Sequence, residues 1–583
     1  MKKIYLIGFA AALMFTGCED FLDSTNYKGK DSGNFPVNET DVNQMVAAVY
    51  EATINEPLRN PAATYIFFAN LASDDMFGGG GKNDLQTQAA DHLLYNDNGA
   101  MEATWTACYK GIARANMALA YIDNITDEEL RNQTKGELLF LRAYNYFTLG
   151  QLFGNVPLLE KAPENVEDAQ ESPEQVAPEV IFQKIADDLY EATQVMPSYT
   201  YDGWSKLAYG KVSRWAAQSM LARVFLYYTG FFQKETMPKS EGEITKDYVV
   251  SCLDEVIKNS GHSLISDYRS LWAYSNSETA KDYDYIKGSG VTWAKDGTNK
   301  EEIFSMNFAF LTDWSGTQLH FTNQFSLYFG IRDNAWQDGD KFKEGTEGSV
   351  YPFGTGWGSG PVATNLWNEW NIAEPTDMRR EASILNATST FDHKNTDTGM
   401  EETGYINKKL IGVRSGGGEY YSFCATPAYW GDGASKGHFQ ASHAQNFIVI
   451  RYADVLLMHS ELTGTATGIN EVRERAGLPA IGYSETALRN ERRWEFAFEG
   501  LRWGDLRRWH IVPQALERQV GHIIWNDGQQ TTMKAQGGTY TDRYNSTKGY
   551  YRIPQTQVDL SNGAIKQNSG WEGTTGYYAK WND

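Results

Sequence analysis

Cysteine is scarce in this chain. Four occur in 583 residues, Cys18, Cys108, Cys252 and Cys424, so a disulfide framework does not hold a fold of this size. Positive charge is short as well: 52 Lys and Arg stand against 74 Asp and Glu, a formal charge of -22. Such a field repels nucleic acid, and no nucleic-acid partner is expected. After the first residues no apolar run is long enough to cross a bilayer. Histidine is sparse too, and His438 and His443 match no zinc spacing; H-E-x-x-H and G-x-S-x-G are both missing. Carboxylates are plentiful, but no pattern marks a pair at glycosidase spacing. The expectation is a protein without cofactor, metal or catalytic residue.

The first residues carry an address. Met1-Lys2-Lys3 is basic and residues 4–15 are almost wholly apolar. That run is too short to span a membrane and fits the apolar region of a secretory signal. It ends in Phe15-Thr16-Gly17-Cys18, which resembles a bacterial lipobox, the motif in which the cysteine is lipidated and becomes the mature N-terminus. Residues 1–17 are therefore read as a lipoprotein signal peptide. Residues 18–40, with Glu19 and Asp20 directly after Cys18, are read as the lipidated N-terminus and a polar tether.

Residues 41–263 read as helices in pairs. Helical patterns cover 41–53, with Thr40 or Asp41 as the cap, then 101–122, 127–153, 173–195 and 209–232. Gly154 and Pro157 suit the end of the third. The expected fold is mainly α: a tetratricopeptide-like helical-repeat scaffold with a large loop-rich region carrying a few short strands. Between the first helices lie Asp74, Asp75 and four glycines, Gly78 to Gly81. No strand precedes them and no Gly-Lys-Ser/Thr follows, so a flexible surface loop is expected rather than a phosphate cradle.

From 264 to 445 the helical period fades and Gly, Asn, Asp, Ser and Thr dominate. Eight of the seventeen tryptophans lie here, and long loops in an ordered protein are usually functional. A flat aromatic ring suits the apolar face of a sugar, with amides and charged side chains to bond its hydroxyls. Most of these tryptophans are expected to pin loops to the core. Trp293, Trp314 and Trp336 sit in the most polar settings and are the candidates for ligand contact, with Arg332, Asp74 and Asp75 as polar partners.

Residues 446–583 return to helices that pack on the scaffold. Asn490 to Trp509 is dense in charge and aromatics at once. Trp494, Ala497, Phe498 and Leu501 have the spacing of one helical face, and Glu491, Glu495 and Glu499 form an acidic row beside arginines. Arg492, Arg493, Glu495, Glu499, Arg502 and Asp505 are read as a buried ion-paired clamp rather than an acid–base site.

The order of motifs carries a resemblance. Ile450-Arg451-Tyr452-Ala453-Asp454, Arg475-Ala476-Gly477-Leu478-Pro479, Asn490 to Trp509, Tyr551-Arg552-Ile553-Pro554 and Asn568-Ser569-Gly570-Trp571 follow one another. Leu141-Arg142-Ala143-Tyr144, Phe153-Gly154-Asn155-Val156-Pro157 and Cys18-Glu19-Asp20-Phe21-Leu22 agree in the first half. The series closely resembles the SusD/RagB family of outer-membrane nutrient-binding lipoproteins. The resemblance implies a binding protein held outside the outer membrane by its lipid. It implies capture of oligosaccharide or polysaccharide and delivery to a SusC-like TonB-dependent barrel. The alternatives are a peptide-binding RagB-like uptake lipoprotein or a surface glycoside hydrolase. The shared motifs belong to the scaffold and carry no ligand residue across.

Overall fold

The computed structural model describes residues 35–36, 38–80, 84–94, 101–163, 174–202, 207–295, 297–311, 318–332, 350–389, 401–413, 440–526, 528–535 and 538–571. The signal, lipobox and most of the tether lie outside these residues, as do Trp314, Trp336 and Trp430. Among the described residues, no helix is long and apolar enough to cross a membrane.

Three of the long helices start where a side chain accepts a free amide of the first turn. Asn38 does this for Glu39–Tyr50, Asp127 for Glu128–Phe153 and Ser213 for Arg214–Phe231. Asn38, not Thr40 or Asp41, is thus the cap of the first helix. Glu102–Ala120 packs on Glu128–Phe153, which packs on Pro178–Val195, and that on Arg214–Phe231. Lys246–Asn259 adds a further layer. Arg142 locks the second pair. Its guanidinium donates to both oxygens of Asp188, at 2.8 and 2.7 Å, within the core.

The helical stack does not stop at the loop-rich region. Tyr452–Thr463 docks on Lys246–Asn259, and Thr467–Arg475 packs on Tyr452–Thr463. The excursion between them is closed by one antiparallel ladder. Glu302–Met306 pairs with Phe447–Arg451, from Met306 opposite Phe447 to Glu302 opposite Arg451. The chain thus leaves and re-enters the scaffold at one place. Within the excursion the elements are short: helices Thr364–Ala373 and Met378–Ser383, and strand pairs of two or three residues.

The strand Phe447–Arg451 runs through Arg451 directly into the helix that begins at Tyr452. Two further expectations change. The Asn490 to Trp509 stretch is two helices, Glu485–Phe496 and Arg502–Arg508. Phe498 and Gly500 take φ of 71° and 75° between them, a left-handed turn that a continuous helix excludes. Gly500 carried that signal, and the apolar spacing masked it. The glycine run is not a flexible surface loop either: Gly78, Gly79 and Gly80 are buried.

Candidate binding groove and the clamp beneath it

The charged stretch forms the clamp. Glu495 is fully buried and accepts from Arg451 at 2.5 Å, Arg379 at 2.9 Å and Arg475. Glu499 meets Arg451 at 2.8 Å and Lys409 at 2.9 Å. Arg492 joins Asp505 and Asp454, both at 2.8 Å, and Asp454 also takes Arg223 from the repeat scaffold at 2.7 Å. The clamp therefore ties the last helices, the scaffold and the loop-rich region together. Burial pushes the Glu495 carboxyl up, but Arg475, Arg451 and Arg379 together hold it well below the usual carboxylate range. Asp454 is likewise held down to about 2, by Arg223 and Arg492 against burial.

Asp74 and Asp75 belong to this clamp. Asp74 is fully buried, with Arg502 at 2.7 Å, Arg518 at 3.0 Å and Arg493 at 3.1 Å. Asp75 accepts from Arg493 at 2.8 Å. Both Asp74 oxygens and Asp75 Oδ1 meet guanidiniums, and Asp75 Oδ2 is buried as well. Trp293 is 7% exposed and sits in the hydrophobic core, so it pins a loop instead of offering a face. Both placements depart from the expectation: neighbours in sequence predicted neither the distant arginines that take Asp74 and Asp75 nor the apolar core that takes Trp293.

Arg332 is the candidate that reaches a surface groove. It ends the short strand Ile331–Arg332, which pairs parallel with Thr355–Gly356. Its Nη1 donates to the Trp357 carbonyl at 3.0 Å and lies 3.4 Å from Asp84. The groove beside it is lined by Arg332, Ser359, Pro361, Glu402, Tyr405 and Asn407. Tyr405 stacks on Trp367 at 5.1 Å, and Arg380 lies over Trp367 at 4.9 Å. Trp357 follows Gly356 in the chain and is 37% exposed. Trp272, Trp293 and Trp370 of the same region are all below 9%. Among the described tryptophans of the excursion, Trp357 is the most exposed, with Trp367 half-buried.

Sequence reasoning passed over Trp357, Tyr405 and Glu402. A signal for the first existed: it stands in Gly354-Thr355-Gly356-Trp357-Gly358-Ser359-Gly360, with no apolar neighbour to bury it. Glu402 had none. It is 8% exposed and burial pushes its carboxyl up to about 8, with Arg332 opposing. The groove offers a guanidinium, a carboxyl, an amide and a tyrosine, with the exposed Trp357 close by in the chain, groups suited to bonding hydroxyls and meeting an apolar face. Among the described residues, no group of three or more His, Cys, Asp and Glu is placed to hold a metal.

Known proteins share this architecture. A family model described as "SusD family" matches residues 271–571, and one described as "Starch-binding associating with outer membrane" matches residues 20–226. A SusD-like protein P2 of Formosa agariphila is 24% identical over 89% of this chain and 94% of its own. A solved laminarin binding SusD-like protein superposes with a TM-score of 0.65 at 23% identity, over 91% of this chain and 99% of that one. Surface glycan-binding protein A from Bacteroides thetaiotaomicron, solved in complex with laminarihexaose, gives 0.65 at 19% identity with the same coverage.

Proposed function

Because this chain belongs to the SusD/RagB family, we propose that it is a cell-surface lipoprotein that captures oligosaccharides. In this reading it passes them to a SusC-like TonB-dependent barrel, without chemistry of its own. The observation that carries the glycan reading is Trp357, an exposed tryptophan whose carbonyl accepts from Arg332, a residue that lines the groove with Tyr405 and Asn407. Aromatic faces with flanking hydrogen-bond groups are the usual means of holding sugar rings. The relatives that bind laminarin or laminarihexaose support the same ligand class. Trp314 and Trp336 remain proposed platforms further along the same excursion. Cys18 is the proposed lipid attachment, tested by Cys18→Ala, which should leave the protein unlipidated; lipid labelling of that variant overturns it.

Calorimetry and affinity electrophoresis against a panel of polysaccharides and peptides test the reading, with laminarin and laminarihexaose first. The expected result is binding to at least one glycan, weakened by Trp357→Ala. Binding confined to peptides would favour a peptide-uptake protein, and sustained release of shorter sugars would make it a hydrolase.

A further inference from the structure

The glycine run lies behind the groove. Gly80 donates to the Gly358 carbonyl at 3.0 Å and Gly360 to the Gly78 carbonyl at 3.1 Å, while Gly79 bridges Ser359. Ser359, Gly360 and Pro361 face the groove, so the turn at Gly78–Gly80 backs that wall. The fit leaves no slack. A Cβ on Gly79, at φ +65°, would stand 2.4 Å from the Pro361 ring and 2.5 Å from the Gly358 carbonyl.

Two carboxyls from distant segments hold this turn from the other side. Asp91, at the end of helix Leu85–Asp91, accepts from the Gly78 amide at 2.9 Å. Glu401, on the strand Glu401–Glu402, accepts from the Gly79 amide at 3.2 Å. Asp91 is fully buried and Glu401 is 6% exposed. The second Asp91 oxygen, Oδ1, is buried with no hydrogen-bond partner. Glu402, next in the chain, lines the groove itself. Two carboxyls bonded to successive amides at this depth do not both ionise at neutral pH: the first charge opposes the second in a medium that screens little.

The surrounding groups support that arrangement. Burial, then Glu401, push the Asp91 carboxyl well above its ordinary value, while the Gly78 amide and Arg543 pull the other way. Burial raises Glu401 to about 7, with the Gly79 amide opposing. Glu402 is raised by burial and by Glu401, and lowered by Arg332. His92 is pressed down to about 3 by burial and Arg543, so it stays neutral. Tyr540, which faces Asp91, Arg543, Glu401 and Glu517, is raised far beyond neutral pH and stays protonated.

We infer that Asp91 and Glu401 are not both ionised at neutral pH and together pin the Gly78–Gly80 turn, so that the back wall of the groove loosens and ligand capture weakens in alkaline medium. The second half of this rests on the proposed ligand groove; the first half does not. Asp91 and Glu401 are positioning residues, acting on ligand through the turn and Ser359–Pro361.

Amide hydrogen exchange of the segment spanning the turn tests the lock without any ligand. Full-length protein is compared at about pH 6 and about pH 8.5, with rates corrected for intrinsic exchange; protection should fall by about tenfold or more. Glu401→Gln, with Asp91→Asn as a second variant, should flatten that change, because the amide oxygen still accepts but no longer titrates. Equal protection at both pH values in the unsubstituted protein overturns the inference, as does an undiminished fall in both variants. Titration with laminarihexaose at the same two pH values separates the two readings. An exchange response without laminarihexaose binding supports the lock and counts against this glycan. Binding at both pH values without an exchange response overturns the lock and leaves the groove.

Discussion

Asp74 and Asp91 are both fully buried, yet the carboxyl of the first is held below its ordinary value and that of the second is pushed above it. Asp74 lies among three guanidiniums of the clamp, whose positive charge outweighs the cost of burial. Asp91 faces a backbone amide and a second carboxyl, and there burial wins. The same contrast separates Glu495 from Glu401. Burial pushes every one of these groups in the same direction, and the balance of the charges beside each against that burial decides the sign. In the clamp Asp74 and Glu495 are held ionised across neutral pH, while burial pushes Lys409 down to about 8; in the groove wall the carboxyls of Glu401 and Glu402 are pushed up instead.

Breaking the clamp should have the largest effect. Glu495→Gln leaves Arg379, Arg451 and Arg475 with one acceptor fewer in a buried setting, and a loss of about 3–5 kcal/mol in denaturant unfolding is expected. A loss below about 1 kcal/mol would show that water reaches these arginines and that the clamp resembles a surface pair. Gly79→Ala strikes the other region. Its left-handed φ and the contact with Pro361 should cost about 1–3 kcal/mol of stability, and glycan affinity should drop with it. Unchanged affinity would detach the turn from the groove.

Trp357→Ala should separate binding from stability. Its ring is partly open, so unfolding should shift by no more than about 0.5 kcal/mol, while ligand affinity falls by about 1–3 kcal/mol in calorimetry. Unfolding that shifts more than affinity would make it a loop anchor like Trp293.

The smallest expected effect is in the pH dependence, and it has a sign on each side. Asp454, with a carboxyl at about 2, contributes stability that is present above its unfolded value and is lost as pH falls through the folded one. Glu495 acts in the same direction. Glu401 at about 7 and Glu402 at about 8 do the opposite: their contribution is present in acid and lost as pH rises through those values. Thermal melts should thus show a decline in strong acid and a second, shallower decline from weakly acid toward alkaline pH. Glu402→Gln should reduce only the second. A melt unaffected by that substitution above neutral pH would remove Glu402 from the titrating wall.

Much of the scaffold was legible because its signals are local. Asp127 caps Glu128–Phe153 and Gly154 ends it where expected. The Asn568–Trp571 motif has a visible use as well: Asn568 donates to the Phe153 carbonyl at 2.9 Å, and Trp571 to the Tyr550 carbonyl at 3.0 Å. The clamp was legible in outline, since a row of glutamates beside arginines must pair or face water. The site was less so. Trp293 and Trp357 both stand in polar, glycine-bearing sequence, yet one is core and the other exposed. Asp74 was read as a ligand partner because its own neighbours in sequence say nothing of Arg502, 428 residues away.

The sequence by itself determined the helical layers and the family motifs that join them. Caps, apolar spacing and helix stops act within a few residues, and those are fixed before the chain folds. Only the tertiary structure decided which tryptophan faces solvent and which carboxyls are held down or pushed up. Exposure and ionisation are set by whatever the fold brings alongside: three arginines around Asp74, and a glycine amide and another acid beside Asp91.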